Sequence, residues 1–100
     1  MGINYRLTNL NLAHTGTTRL ITVPTDPVTK IILSSGHTIM WLSNVGPSTL
    51  AWAGTGVTAS SGNLLFYSMN QKLDNLAPDF YVFMIADSVA GTVAVTEGIA

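Results

Sequence analysis

The chain has no cysteine and only nine charged residues in 100, namely Arg6, Arg19, Lys30, Lys72, Asp26, Asp74, Asp79, Asp87 and Glu97, where an ordinary soluble domain has roughly 25%. Without thiols there is no disulfide framework and no thiolate chemistry, which argues against a small secreted scaffold and leaves the compartment open. A net charge of −1 and a pI near 6.0 give no field to gather phosphates. Autonomous nucleic-acid binding and attachment to an anionic membrane surface are therefore not expected. Long apolar runs are missing as well: the longest, 80–86, is far short of the ~20 residues of a membrane span. Asn4, Arg6, Asn9 and Asn11 interrupt the place where a signal peptide would carry its apolar segment. A soluble protein without a visible address is expected.

The shortage of charge is local. Between Lys30 and Lys72 lie 41 residues whose only side chains titrating at or above neutral pH are His37 and Tyr67. With 47% apolar residues, the surface must be covered by threonine, serine and asparagine, present 13, 8 and 7 times. Some apolar surface is expected to stay outside, which in a monomer invites association. Area scaling gives roughly 5,500 Å² for the folded chain against about 15,000 Å² unfolded, enough for one domain with one modest core.

Glycine, proline and Asn/Ser clusters punctuate the chain every six to twelve residues, and the intervals are rich in valine, isoleucine, threonine and aromatic side chains. That pattern predicts an all-β fold of about eight short strands. Strands are expected near 5–13, 19–23, 29–34, 38–44, 49–53, 63–67, 71–73, 80–86 and 92–97, nine being an upper count. Segments 38–43 and 80–85 are apolar at both parities and read as strands covered on two faces. Segment 92–97 instead puts Val93 and Val95 on one side and Thr92 and Thr96 on the other, as in a half-exposed antiparallel strand. The piece Val57-Thr58-Ala59, bracketed by glycine-containing turns, reads as a loop strand outside the core. No helical stripe competes; residues 70–76 could hold one turn at most.

Turn chemistry is clearest at Asn44-Val45-Gly46-Pro47, which combines a residue tolerant of left-handed backbone, a glycine and a fixed φ. Residues 1–27 differ in character, with Tyr5, Leu7, Leu10 and Leu12 set among polar residues and Pro24 and Pro27 behind them. They read either as an N-terminal arm that docks on another subunit or as an extra strand pair; residues 28–100 read as the β-sandwich domain.

His14 and His37 have no nearby third ligand and read as turn or surface histidines, not as a zinc site. Serines are numerous, yet no Gly-x-Ser-x-Gly elbow occurs. Asp74 and Asp79 sit beside Asn75 and Pro78, where aspartate serves turns. Gly54-Thr55-Gly56 lacks the lysine of a phosphate loop. No catalytic residue, metal or cofactor is predicted. Trp52, next to Ala51, Ala53 and Gly54, and the neighbours Phe66 and Tyr67, of which a strand would turn one away from the core, are the candidate interface residues, together with Tyr5, Leu7, Leu10 and Leu12.

The stretches Trp41-Leu42-Ser43-Asn44-Val45-Gly46, Leu50-Ala51-Trp52-Ala53-Gly54, Val57-Thr58-Ala59-Ser60-Ser61-Gly62, Phe80-Tyr81-Val82 and Val93-Ala94-Val95-Thr96-Glu97 resemble the small β-rich structural proteins of tailed bacteriophages. The resemblance spans about residues 37–98. It implies a capsid decoration (cement) or head-fibre protein: a single antiparallel β-sandwich or jelly-roll-like barrel, homo-oligomeric and trimeric, on the virion surface, with the major capsid protein as partner. An N-terminal arm could then clamp a neighbouring capsomer by strand addition. The alternative is a carbohydrate- or host-binding module of a phage fibre, with Trp52 or Tyr67 stacking on sugar. Neither reading calls for an enzyme, a nucleic acid or a membrane.

Overall fold

In the computed structural model, residues 16–54, 56–58 and 61–99 are described. They form eight strands: β1 (Gly16–Val23), β2 (Thr29–Ile32), β3 (Ile39–Asn44), β4 (Leu50–Ala53), β5 (Asn63–Leu65), β6 (Asn70–Leu73), β7 (Tyr81–Ala86) and β8 (Gly91–Gly98). Two four-stranded antiparallel sheets result, ordered β1-β8-β3-β6 and β2-β7-β4-β5. The pairs 1:8, 2:7, 3:6 and 4:5 are those of one long hairpin folded over into two layers. Rolling it up adds the contacts of β8 with β3 and of β7 with β4. This strand order is that of a jelly roll, a β-sandwich made of two Greek keys. Following the chain, the β1–β2, β3–β4, β5–β6 and β7–β8 connections fall at one end of the sandwich, and the β2–β3, β4–β5 and β6–β7 connections at the other.

Period-2 patterning fixes the inner faces. Val23, Met40, Leu42, Val93 and Val95 from one sheet meet Ile31, Leu50, Leu65, Val82, Met84 and Ala86 from the other, all buried. Leu76 and Phe80, from the β6–β7 connection, pack against this core from the far end. β8 follows its predicted alternation, with Thr92, Ala94 and Thr96 half-buried on the outer side.

β1 reaches from Gly16 to Val23 and pairs with β8 along its whole length, Gly16 opposite Gly98 and Val23 opposite Gly91. The second half of the 1–27 segment is thus part of a sheet. The strand expected at 5–13, and with it Tyr5, Leu7, Leu10, Leu12 and His14, lies outside the described residues.

Two expectations are corrected. The strand expected to run to Tyr67 ends at Leu65, so Phe66 and Tyr67 do not alternate across a sheet: both are exposed, in a turn closed by the Met69 N–H on the Phe66 carbonyl at 2.9 Å. Val57, expected outside the core, is buried without being in a strand; it lies on the outer face of the second sheet, over Ala51 and Ile85. Gly62 makes that possible. Its φ of +94° turns the chain, and a Cβ there would come within 2.7 Å of Val57 and 2.9 Å of the Trp52 carbonyl.

Candidate functional site

At the end bearing the β3–β4 and β5–β6 connections, one side chain organises the surface. Asn44 closes β3 at an inner position, buried to 1% exposure. Its Nδ2 donates to the Ser48 carbonyl at 2.8 Å and to the Leu65 carbonyl at 2.7 Å, and its Oδ1 accepts the Gly46 N–H at 2.7 Å. Its own backbone donates to the Met69 carbonyl and accepts from the Ser68 N–H. Both amide donors are used, as a buried amide requires. The consequence is a fixed relation between two neighbouring connections.

The third connection is tied to the first. Ser48 Oγ donates to the Val89 carbonyl at 2.7 Å, and Val45 and Gly46 exchange backbone bonds with Thr92. Gly46 takes φ +93° and precedes a cis Pro47. A Cβ at Gly46 would stand 2.9 Å from Cδ1 and Cε1 of Tyr67, so glycine is what lets the Tyr67 ring rest on the β3–β4 turn.

Two hollows flank Tyr67 and share it with Val45. One, of about 540 Å³, is lined by Val45, Gly46, Pro47 and Tyr67. The other, of about 300 Å³, is lined by Ser43, Asn44, Val45, Tyr67, Ser68 and Asn70. None of these residues is charged. Around them Phe66, Met69 and Val89 are exposed, Tyr67 most of all at 64%.

Of the predicted interface residues, Phe66 and Tyr67 are brought to one surface. Trp52 is not with them: it lies on the inner side of β4, opposite Met84 and Asn63, half-buried against the core, its indole N–H without a partner among the described residues. Cross-strand register decides this, because Leu50 and Trp52 share a parity and Leu50 is core. Sequence reasoning missed the Tyr67 turn, since 66–69 holds no glycine, proline or asparagine; Asn44 was legible only as a turn former.

A second surface is the outer face of the β2-β7-β4-β5 sheet. Its parity carries Lys30, Ile32, Ala51, Ala53, Leu64, Tyr81, Phe83 and Ile85. Val57 covers the middle, while Ile32, Leu64 and Tyr81 are left exposed on either side. Tyr81 meets Phe83 edge to face at 5.5 Å, and the Lys30 ammonium sits 4.2 Å from the Tyr81 ring centroid. The outer face of the other sheet is mixed: Thr18, Thr22, Ser43, Thr92 and Thr96 spread hydroxyls over it beside Trp41 and Leu20, the latter 70% exposed, with Thr18 and Thr96 sharing a hydroxyl hydrogen bond of 3.0 Å.

Polar groups gather once more, at the opposite end. Glu97 is buried to 1% at an inner position of β8. Oε2 is 2.9 Å from Arg19 Nη2, Oε1 accepts the Ser34 N–H at 2.6 Å, and His37 Nδ1 stands 3.5 Å from Oε1 without hydrogen-bond geometry. Arg19 also donates to the Ile32 carbonyl at 2.6 Å, bridging the edge strands β1 and β2. His37 closes a turn, as expected, through its N–H on the Ser34 carbonyl at 3.1 Å, and its side chain is mostly buried beside this carboxylate. The arrangement closes an edge of the sandwich; among the described residues, no three His, Cys, Asp or Glu side chains form a metal-binding group.

Compared with protein families, with curated proteins and with solved structures, the chain matches none. What fold and surface define is a jelly-roll β-sandwich with an apolar outer sheet face and, at one loop end, two hollows lined by uncharged residues.

Proposed function

We propose that this chain is a structural protein of a tailed-bacteriophage virion, decorating and stabilising the capsid as a homo-oligomer, a trimer by its resemblance. It acts without catalysis, in the assembled particle, on the major capsid protein. The observation that carries the reading is the apolar outer face of the β2-β7-β4-β5 sheet. A solvated antiparallel sheet face is ordinarily polar, yet here Ile32, Leu64 and Tyr81 stand in water, and among the described residues of the face only Lys30 is charged. A face of that kind gains by being covered, and many weak copies of one contact add up across a lattice. The sequence resemblance supplies the lattice, and the jelly roll is a fold suited to it.

The test is reconstitution. Full chain added to heads lacking it should cosediment, at hundreds of copies per particle, and raise the temperature at which the heads break. Leu64→Lys with Tyr81→Lys should abolish cosedimentation and leave the thermal midpoint of the free protein nearly unchanged. Binding that survives both charges, or a few tens of copies confined to a fibre, would sink the proposal.

A further inference from the structure

We propose that the groove beside Tyr67 is a binding subsite for a neutral saccharide. It lies at the loop end, separate from the sheet face assigned to capsid contact, and extends that reading to a second activity of the same molecule.

The lining sets the ligand's charge. Every residue around the two hollows is uncharged, and they sit inside the 31–71 stretch that has no Lys, Arg, Asp or Glu. Among the described residues, no cation lines them to hold a phosphate or carboxylate, and no carboxylate to hold an amine or metal. The hollows, about 540 and 300 Å³, are of the size that takes one or two small-molecule rings.

The lining also sets the ligand's shape. The Cδ1–Cε1 side of the Tyr67 ring lies against Gly46, while the residue as a whole is 64% exposed. An aromatic ring backed on one side and open to solvent on the rest offers its face to a flat, C–H-rich partner, which is what one face of a pyranose is. Beside the ring are groups that match a sugar's rim of hydroxyls. Ser43 Oγ donates to Asn70 Oδ1 at a long 3.4 Å. The Asn70 Nδ2 and the Ser68 hydroxyl have no hydrogen-bond partner among the described residues, so a donor pair and a hydroxyl stand ready in the second hollow.

Other ligand classes fit less well. An extended peptide adds along a strand edge; the backbone of Asn44 and the Val45 N–H are already paired, so a peptide would run along the β6 edge beside the hollows and not in them. A lipid tail needs a deep apolar cavity, whereas the second hollow is floored by amide and hydroxyl groups. The site is also preorganised. Asn44 holds the Tyr67 turn and the Gly46 turn in one geometry, which lowers the ordering cost of binding.

The experiment is saturation-transfer difference NMR and calorimetric titration of the full chain with glucose, galactose and N-acetylglucosamine, with their β-linked oligomers, and with sialyllactose as the anionic comparator. At least one neutral sugar should receive saturation and sialic acid none. Tyr67→Ala should weaken binding roughly ten-fold or more, Tyr67→Phe should retain it, and Asn70→Ala should weaken it several-fold. Both positions are exposed, so an unchanged thermal midpoint is expected; if Tyr67→Ala lowers it, Asn70→Ala decides. No transfer to any neutral sugar, full binding by Tyr67→Ala and Asn70→Ala, or equal loss in Tyr67→Phe and Tyr67→Ala would each overturn the assignment. Capsid-face variants Leu64→Lys and Tyr81→Lys should bind sugar as wild type, so the two readings fail separately.

Discussion

The two ends of the sandwich are each closed by one buried polar side chain at an inner position of a strand end, Asn44 on β3 and Glu97 on β8. They do the same job with different chemistry. Asn44 is neutral and satisfied by three short hydrogen bonds to backbone groups of its own and the neighbouring connection. Glu97 is charged and needs a cation, so Arg19 is drawn in from an edge strand, and one guanidinium nitrogen then also caps the Ile32 carbonyl of the other sheet. A buried amide asks only for backbone partners and leaves its end free to expose Val45, Phe66 and Tyr67. A buried carboxylate asks for countercharge and commits its end to structure. The neutral clamp holds its two connections without bringing a countercharge to the hollows beside Tyr67.

That comparison can be broken by mutation, beginning with the largest effect. Glu97→Ala leaves the Ser34 N–H without its acceptor and Arg19 without its carboxylate, and should cost about 3 kcal/mol in denaturant unfolding, moderated because Arg19 is half-exposed and can turn to water. Asn44→Ala should cost slightly less, about 2–3 kcal/mol, since only neutral groups lose partners. It should also loosen the Tyr67 turn, visible as faster amide exchange at Ser68, whose bond to Asn44 depends on that geometry. If Asn44→Ala proved the costlier, the charged end would not be the stronger clamp.

The double variant sharpens the point. In the β3·β8 ladder Asn44 faces Val93 and Glu97 faces Met40. The two clamps are four residue steps apart, about 13 Å. Their costs should therefore add to within about 0.5 kcal/mol. A larger coupling, measured by the same melts, would mean that the ends are not independent. Gly46→Ala comes next, at about 1–2 kcal/mol, because alanine is strained at φ +93° and its Cβ would displace Tyr67. The smallest effect belongs to the exposed apolar side chains of the loop end: Met69→Thr or Val89→Thr should move stability by less than about 0.5 kcal/mol.

Much of this architecture was legible beforehand. Strands β1 to β8 each fall on a segment expected from period-2 apolar patterning and turn residues, with ends differing by a few residues. Val93 and Val95 inside with Thr92 and Thr96 outside followed from alternation alone. What alternation could not say is which residues break it. Glu97 has the inner parity of Val95, and only Arg19, brought in by the β1·β8 pairing, makes burial of its carboxylate tolerable. His37 is the turn residue it read as, but the burial of its side chain was hidden because its neighbour Glu97 is sixty positions away. Trp52 looked like a surface aromatic among small residues, and its place depends on Leu50 being core.

The Tyr67 site was the least legible. Its turn contains no residue that demands one; it exists because the Asn44 backbone takes the Ser68 N–H and supplies a donor to Met69. Conversely, the lack of charge over 31–71 was plain from the start.

The sequence by itself determined that this protein is all-β, poor in charge and free of a readable catalytic motif, because strand propensity, side-chain parity and composition are local quantities. The tertiary structure alone decided the jelly-roll order of the strands, the two polar clamps and the exposure of Tyr67 beside Gly46. Those depend on which distant segments pair, and a buried polar group is tolerated only where the fold delivers its partner.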